Sequence, residues 1–235
     1  MKTVVIYGVE HKGSTYNTVQ LFKNQLNICD DELTEYFLPR DMPHFCVGCN
    51  NCFMKGEVFC PHQEYITPIK NSMRNAELLI FASPVYVFHV TAQMKALLDH
   101  FAFQFIAHRP NKSMFSKTAL VISIGAGGGM NSAIKDISGS LKYWGISRIF
   151  TFGFAIFAAN WEGITGKNKQ KMEKKIRKIS YKIKSKINKP KLSLNVRLFF
   201  FINRIMQKKF GYIPNDKEYW EKNGWLGKNR PWKNK

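Results

Sequence analysis

The sequence predicts an α/β fold: a doubly wound, five-stranded parallel sheet with a basic helical extension at its C-terminal end. Three observations predict it. Apolar, β-branched runs alternate with segments of helical periodicity. The turns between them carry glycine, serine or proline. The charge is also segregated. The chain has 235 residues and a formal net charge of +20, and residues 165–235 hold 22 Lys and Arg against four acids. That segment carries +18, and the rest is close to neutral. The division implies two parts with different physical jobs, residues 1–188 as one domain and 189–235 as an extension.

The elements follow in order. TVVIYG (3–8) is mostly β-branched and apolar, as suits a central strand covered on both faces. A turn containing Gly and Ser leads into a helix over about 15–27, with Val19, Phe22 and Leu26 on one face. LTEYFL (33–38) alternates more and forms a second strand, ended by Pro39. A helix over about 65–75 turns Ile66, Ile69 and Met73 inward and takes Pro68 in its first turn. ELLIFASPVY (77–86) is a strand running into a proline turn. Residues 90–103 form a helix with Met94, Leu97, Leu98 and Phe101 on its apolar side. KTALVISI (117–124) is the fourth strand, GAGGG (125–129) a flexible turn, and a helix then runs to about Trp144. ISRIFTFGFAIF (146–157) is the fifth strand. Over 167–188, Met172, Ile176, Ile179, Ile183 and Ile187 recur at spacings of three and four, one apolar stripe on a very basic helix that Pro190 breaks. LSLNVRLFFFINRIMQKKF (192–210) is unusually apolar, with basic residues scattered through it.

The hydrophobic share of 45% suffices for a buried core and excludes a disordered chain. The N-terminal apolar run is too short for a signal peptide, and the longest apolar run, Ile149 to Ala159, is too short to span a bilayer. A cytoplasmic location is expected. In a reducing compartment, clustered cysteines bind metal or do redox work more often than they form disulfides.

Ligands of an open parallel sheet sit beyond the carboxyl ends of its strands, so the loops there should carry function. GVEHKGSTYNT (8–18) follows strand one. A hydroxyl- and glycine-rich turn entering a helix offers backbone N–H groups and a favourable dipole to a phosphate. The plainer role of Ser14 is a helix N-cap. The loop is neither a Walker loop nor a dinucleotide fingerprint, because both glycine spacings are absent. SPVYVFHVTAQMK (83–95) follows strand three, where Pro84 stiffens the turn and Tyr86 and Phe88 offer an aromatic wall. GAGGG follows strand four and lets backbone N–H groups approach a flat ligand. Proline and glycine also serve plain turn geometry; what raises these loops above that is their common sheet edge.

In this order, with a cysteine loop between the first two, these stretches resemble the flavodoxin-like NAD(P)H-dependent FMN reductases, and within them the iron–sulfur flavoproteins. The resemblance covers about residues 1–160. It implies a flavodoxin-like fold, FMN as cofactor and NAD(P)H as co-substrate. It places the FMN phosphate at His11, Lys12, Ser14, Thr15 and Tyr16. It lays the isoalloxazine along Pro84, Val85, Tyr86, Val87 and Phe88, with backbone contacts from Gly125, Gly127 and Gly128. The family often begins its phosphate loop Gly-Ser-x-Arg; Val9 and His11 stand here instead, so a hydroxyl and a permanent charge are lost. The acidic pair often found after the last cysteine is replaced by His62-Gln63-Glu64. The implied activity is an FMN-dependent oxidoreductase that takes electrons from NAD(P)H or a ferredoxin-like donor and reduces a small acceptor: a quinone, a flavin or an oxygen species. The flavin does the chemistry, so no protein acid or base is named. The implied assembly is a homo-oligomer.

FCVGCNNCFMKGEVFCP (45–61) holds Cys46, Cys49, Cys52 and Cys60. C-x2-C-x2-C is the spacing by which ferredoxin-type loops wrap one face of a cubane, and Cys60-Pro61 repeats their Cys-Pro ending. A [4Fe–4S] group held by these four thiolates would be a one-electron relay beside the flavin. A reduced or redox-active loop without metal ranks next. Zinc ranks last, because zinc usually takes two separated pairs and His44 and His62 have no clear ligand spacing. Cys29 reads as an ordinary packed thiol.

The basic helix over 167–188 reads as the last helix of the fold, solvated on its lysine face. Residues 192–210 fit either peripheral contact with anionic headgroups or packing on the body or a subunit interface. Nucleic acid is disfavoured, since lysine richness lacks a recognition module. The rival to the oxidoreductase is a binding module that has lost its cofactor and acts through the tail.

Overall fold

A computed structural model of the chain describes residues 1–187, 189 and 192–233. β1 (Thr3–Tyr7), β2 (Leu33–Phe37), β3 (Leu78–Pro84), β4 (Thr118–Gly125) and β5 (Arg148–Ala155) pair in one sheet. All pairs are parallel, in the order β2-β1-β3-β4-β5. This is the flavodoxin-like order, whose direction reverses between β1 and β3. Each central strand alternates its apolar side chains between two cores. Val4 and Ile6 of β1, Leu79 and Phe81 of β3, and Ala119 and Val121 of β4 face one layer. α3 (Gln63–Asn75), α4 (Ala92–His100) and α5 (Met130–Tyr143) cover that layer. Val5, Tyr7, Ile80, Ala82, Leu120 and Ile122 face the other, covered by α1 (Ser14–Leu26) and α6 (Gly166–Lys184).

The apolar stripe of α6 lies against this second core. Met172, Ile176 and Ile183 are fully buried, and Ile179 and Ile187 pack at its edge. The lysine face stays in water. The helix stop expected at Pro190 lies outside the described residues. Gly13, with extended backbone and no side-chain bond to the helix, occupies the N-cap of α1, so Ser14 is the first helical residue and not the cap. α3 begins two residues earlier than its periodicity predicts, which moves Pro68 into the second turn.

The extension supplies α7 (Leu194–Lys209) and α8 (Pro214–Lys222). Val196, Phe200, Trp220 and Trp225 form a third core with Ile106 and Phe115 from the segment between α4 and β4. The outer face of α7 keeps Leu194, Leu198, Ile202 and Ile205 exposed. Among the described residues, no helix is long and apolar enough to cross a membrane.

Candidate functional site

The carboxyl ends of β1, β3, β4 and β5 enclose an open cleft of about 380 Å3 at the point where the strand order reverses. One wall is the entry to α1: His11, Lys12, Gly13, Ser14, Thr15 and Asn17. His11 and Lys12 are exposed, Ser14 is half-buried and Thr15 buried. The α1 N-cap has no side-chain hydrogen bond and its first turn has no acid, so the first-turn N–H groups lack an intrahelical partner. Here the helix dipole favours an anion.

Tyr16, expected with these residues, does not line the cleft. It packs against Tyr7 at 5.5 Å and Phe37 at 6.2 Å between centroids. As the third residue of α1, it still contributes its backbone N–H to the first turn.

The second wall is Pro84, Val85, Ile124, Gly125 and Ala126. Val85 N–H donates to the Ile124 carbonyl at 2.9 Å, which ties the loop after β3 to the end of β4. Tyr86, Val87 and Phe88 do not line the cleft; they project from its rim. Tyr86 and His89 exchange both backbone hydrogen bonds at 3.0 Å. The two residues between them take φ of 47° (Val87) and 64° (Phe88). Left-handed φ at both central positions makes a two-residue primed turn, which ordinarily takes asparagine and glycine. Val87 is 92% exposed, so no packing accounts for its strained backbone. Gly127 and Gly128 are also exposed, Gly128 beside Phe88, while Gly125 is buried. Gly129 (φ 84°) caps α5, and a Cβ there would lie 2.5 Å from the Val85 side chain. Only glycine lets the two loops approach this closely.

Ala158, Ala159, Asn160, Trp161 and Glu162 close the third side. Sequence reasoning missed them. The available signal was their position: they follow β5 at the edge where the other loops were sought. Lys169 sits over the Trp161 ring at 5.3 Å.

None of the four loop cysteines lines the cleft. Their loop leaves β2 at the same edge and settles against the first core, next to α3, α4 and α8. Cys46 and Cys49 are exposed, and Cys52 and Cys60 are half-buried on that core. A one-turn helix, α2 (Asn51–Met54), carries Cys52. Asn50 at φ 58° and Gly56 at φ 119° reverse the chain on either side of it. Burial pushes the Cys52 thiol above its usual pKa, and the charges of Cys60, Cys46 and Cys49 add to the rise. Burial likewise raises Cys60, opposed by a hydrogen bond from the His62 backbone. Two half-buried thiols raised in this way are the donor chemistry a cationic metal group relieves.

His44 and His62 show no clear ligand spacing in the sequence, and the structure groups His62 with Cys60 and His100, not with His44. Donor atoms of Cys60, His62 and His100 lie within 4.8 Å of one another. His100 is buried at the end of α4. Its Nδ1–H donates to the Ala96 carbonyl at 2.7 Å, which leaves Nε2 as an acceptor 2.9 Å from His62 Nδ1. His44 stacks on His62 at 4.5 Å. Burial lowers the pKa of both His62 and His100, so both favour the neutral, ligating form. His62 and His100 stand 38 residues apart, so no local motif could reveal the pair.

The model of the NADPH-dependent FMN reductase family matches residues 1–155, the whole sheet and the first two walls of the cleft. The chain belongs to this family. It is therefore an NAD(P)H-dependent FMN oxidoreductase, as the sequence resemblance implied. An iron–sulfur flavoprotein of Archaeoglobus fulgidus is 26% identical over 236 residues, covering 96% of this chain and 100% of that one. Most of the extension is thus matched as well. An iron–sulfur flavoprotein of Clostridioides difficile is 28% identical over 216 residues, with 88% and 90% coverage. Among solved structures, an FMN-dependent NADH-azoreductase of Bacillus anthracis superposes with a TM-score of 0.59 at 12% identity. That match covers 78% of this chain and 99% of that one and shows likeness of fold.

Proposed function

We propose that this member of the FMN reductase family binds FMN in the cleft, phosphate at the α1 entry and ring along Pro84, Val85 and Gly125. It passes electrons from NAD(P)H, or from a ferredoxin-like donor, to a small acceptor. The observation that carries this reading is the uncapped, acid-free N-terminus of α1 facing a cleft at the switch point of the sheet. The residues fit the cofactor. Ser14 and Thr15 add hydroxyls to the helix N–H groups, and Lys12 and His11 add cationic chemistry at an exposed rim. FMN, when bound, supplies hydride acceptance and onward electron transfer. The chain holds the phosphate, sets the ring plane and leaves the outer face open to a second substrate. Tyr86, Val87 and Phe88 stand where they can cover that face, and their exposed apolar surface supports a homo-oligomer in which a neighbour completes the cover.

The cysteine loop we assign to a [4Fe–4S] group on Cys46, Cys49, Cys52 and Cys60. The tight spacing, the raised thiols of Cys52 and Cys60 and the iron–sulfur flavoproteins among the relatives support it. A second reading has its own observation: Cys60, His62 and His100 are a donor set for one zinc-like ion. Cys60 belongs to both sets, so the two exclude each other. The extension we take as part of the fold. Peripheral membrane contact through the exposed face of α7 is the secondary expectation for it.

Protein purified without oxygen tests the whole reading. FMN, with iron and acid-labile sulfide in equal amounts, is expected. Zinc without sulfide would select the Cys–His–His site. Protein that carries no flavin and fails to bind added FMN would end the proposal.

A further inference from the structure

α2 is a helix of one turn, too short to persist by itself. Its amides are served from within: Phe53 and Met54 N–H bond to the Asn50 carbonyl, and Lys55 and Gly56 to that of Asn51. Its last carbonyls, on Cys52, Phe53 and Met54, have no partner inside the helix. Two distant segments supply partners. Arg109 donates to the Cys52 carbonyl and, at 3.5 Å, to that of Phe53. Asn215, in the first turn of α8, donates to the Met54 carbonyl at 2.5 Å.

Arg109 is itself buried and must be neutralised. Asp216, beside Asn215 and 1% exposed, pairs with it directly. His108 Nδ1–H donates to the other Asp216 oxygen at 2.7 Å. Glu57, within the cysteine loop, lies 3.7 Å from Arg109 and 3.6 Å from Lys70 of α3. α8 is anchored in turn: Trp220 Nε1–H donates to the His108 carbonyl at 2.7 Å, and the Tyr219 hydroxyl to that of Pro110 at 2.8 Å. Arg109 and Asn215 are the two groups by which this chain of contacts ends on the backbone that presents Cys52.

We infer that the C-terminal extension is a brace for the cysteine loop, with Arg109, Asp216 and Asn215 as positioning residues that fix the backbone presenting Cys52. The inference gives the extension a task in the redox site. It rests on the reading that the loop holds a metal group, since bracing matters most where a thiolate must keep one direction. Partners that orient metal ligands typically change metal retention by about 10–100-fold when removed.

The test uses full-length Asp216→Asn and Asn215→Ala, the second too mild to unfold the body. In metal-free protein, amide exchange at residues 53–56 should rise by about 5–30-fold in both variants, with the β1 and β3 amides unchanged. In anaerobically reconstituted protein, iron per FMN should fall in both, with FMN binding retained. Native exchange at 53–56 in both variants would overturn the brace. So would faster exchange spread evenly over the sheet, because the pair would then hold the fold and not the loop. The exchange arm needs no metal. If the wild type takes up no iron and sulfide, the cluster reading fails by itself, and the brace is still decided.

Discussion

Single residues at the α1 entry decide the anion site. Ser14 is the first helical residue and lines the cleft. A carboxylate there would compete for the N–H groups that a phosphate needs. Ser14→Asp should therefore weaken FMN binding about tenfold or more, as a repulsion of roughly 1.4 kcal/mol does. Riboflavin, which lacks the phosphate, should bind both forms alike. Fluorescence titration of the two flavins checks this, and equal weakening of both would place the phosphate elsewhere. Lys117 offers a separate check on the body. It is buried and donates to the Arg74 and Ala76 carbonyls, at the end of α3. Burial lowers its pKa to about 8 from 10.5. The unfolded chain keeps that proton up to pH 10.5 and the folded chain only to about pH 8. Between these values the unfolded state binds more protons, so this lysine makes stability rise with pH. Below pH 8 its cost is fully present, on the order of 3 kcal/mol. Denaturant melts from pH 7.5 to 10.5 should show a rising contribution that Lys117→Met removes.

At the scale of elements, the turn 86–89 and the cysteine loop are strained or irregular where the rest is regular. Val87 and Phe88 hold left-handed backbone in water. Replacing them with Asn and Gly should stabilise the protein by about 1–3 kcal/mol. It should also slow reduction of the acceptor if this rim covers the flavin; thermal melts and steady-state rates read the two effects separately. In the cysteine loop, Cys52→Ala should lose iron and sulfide while FMN stays. Unchanged iron would remove the cubane assignment and leave Cys60, His62 and His100 as the ligands to test next. The strands and the α1 and α6 faces were legible as apolar runs and stripes, because burial dictates their period. The strained turn was not legible: Val-Phe carries no turn signal, and a two-residue primed turn ordinarily takes asparagine and glycine. The direction of Tyr16 was missed because adjacency in a motif does not fix which side of the helix a side chain takes. The histidine pair and the Arg109–Asp216 brace join residues 38 and 107 positions apart, beyond any local spacing.

At the scale of the molecule, the sheet order, the switch-point cleft and the family agree, and the charge division falls where α6 begins. The two-part expectation needs one refinement. The extension contributes α7 and α8 to a third core shared with Ile106 and Phe115 and reaches the cysteine loop, so its charge is not a sign of independence. The central claim is that FMN in this cleft turns over with NAD(P)H, and one measurement tests it most directly. FMN-loaded protein is mixed with NADH or NADPH without oxygen, and the flavin absorbance is followed. The account predicts bleaching by at least one nucleotide, with recovery when a quinone or oxygen is admitted. Flavin that stays oxidised with both nucleotides would contradict it.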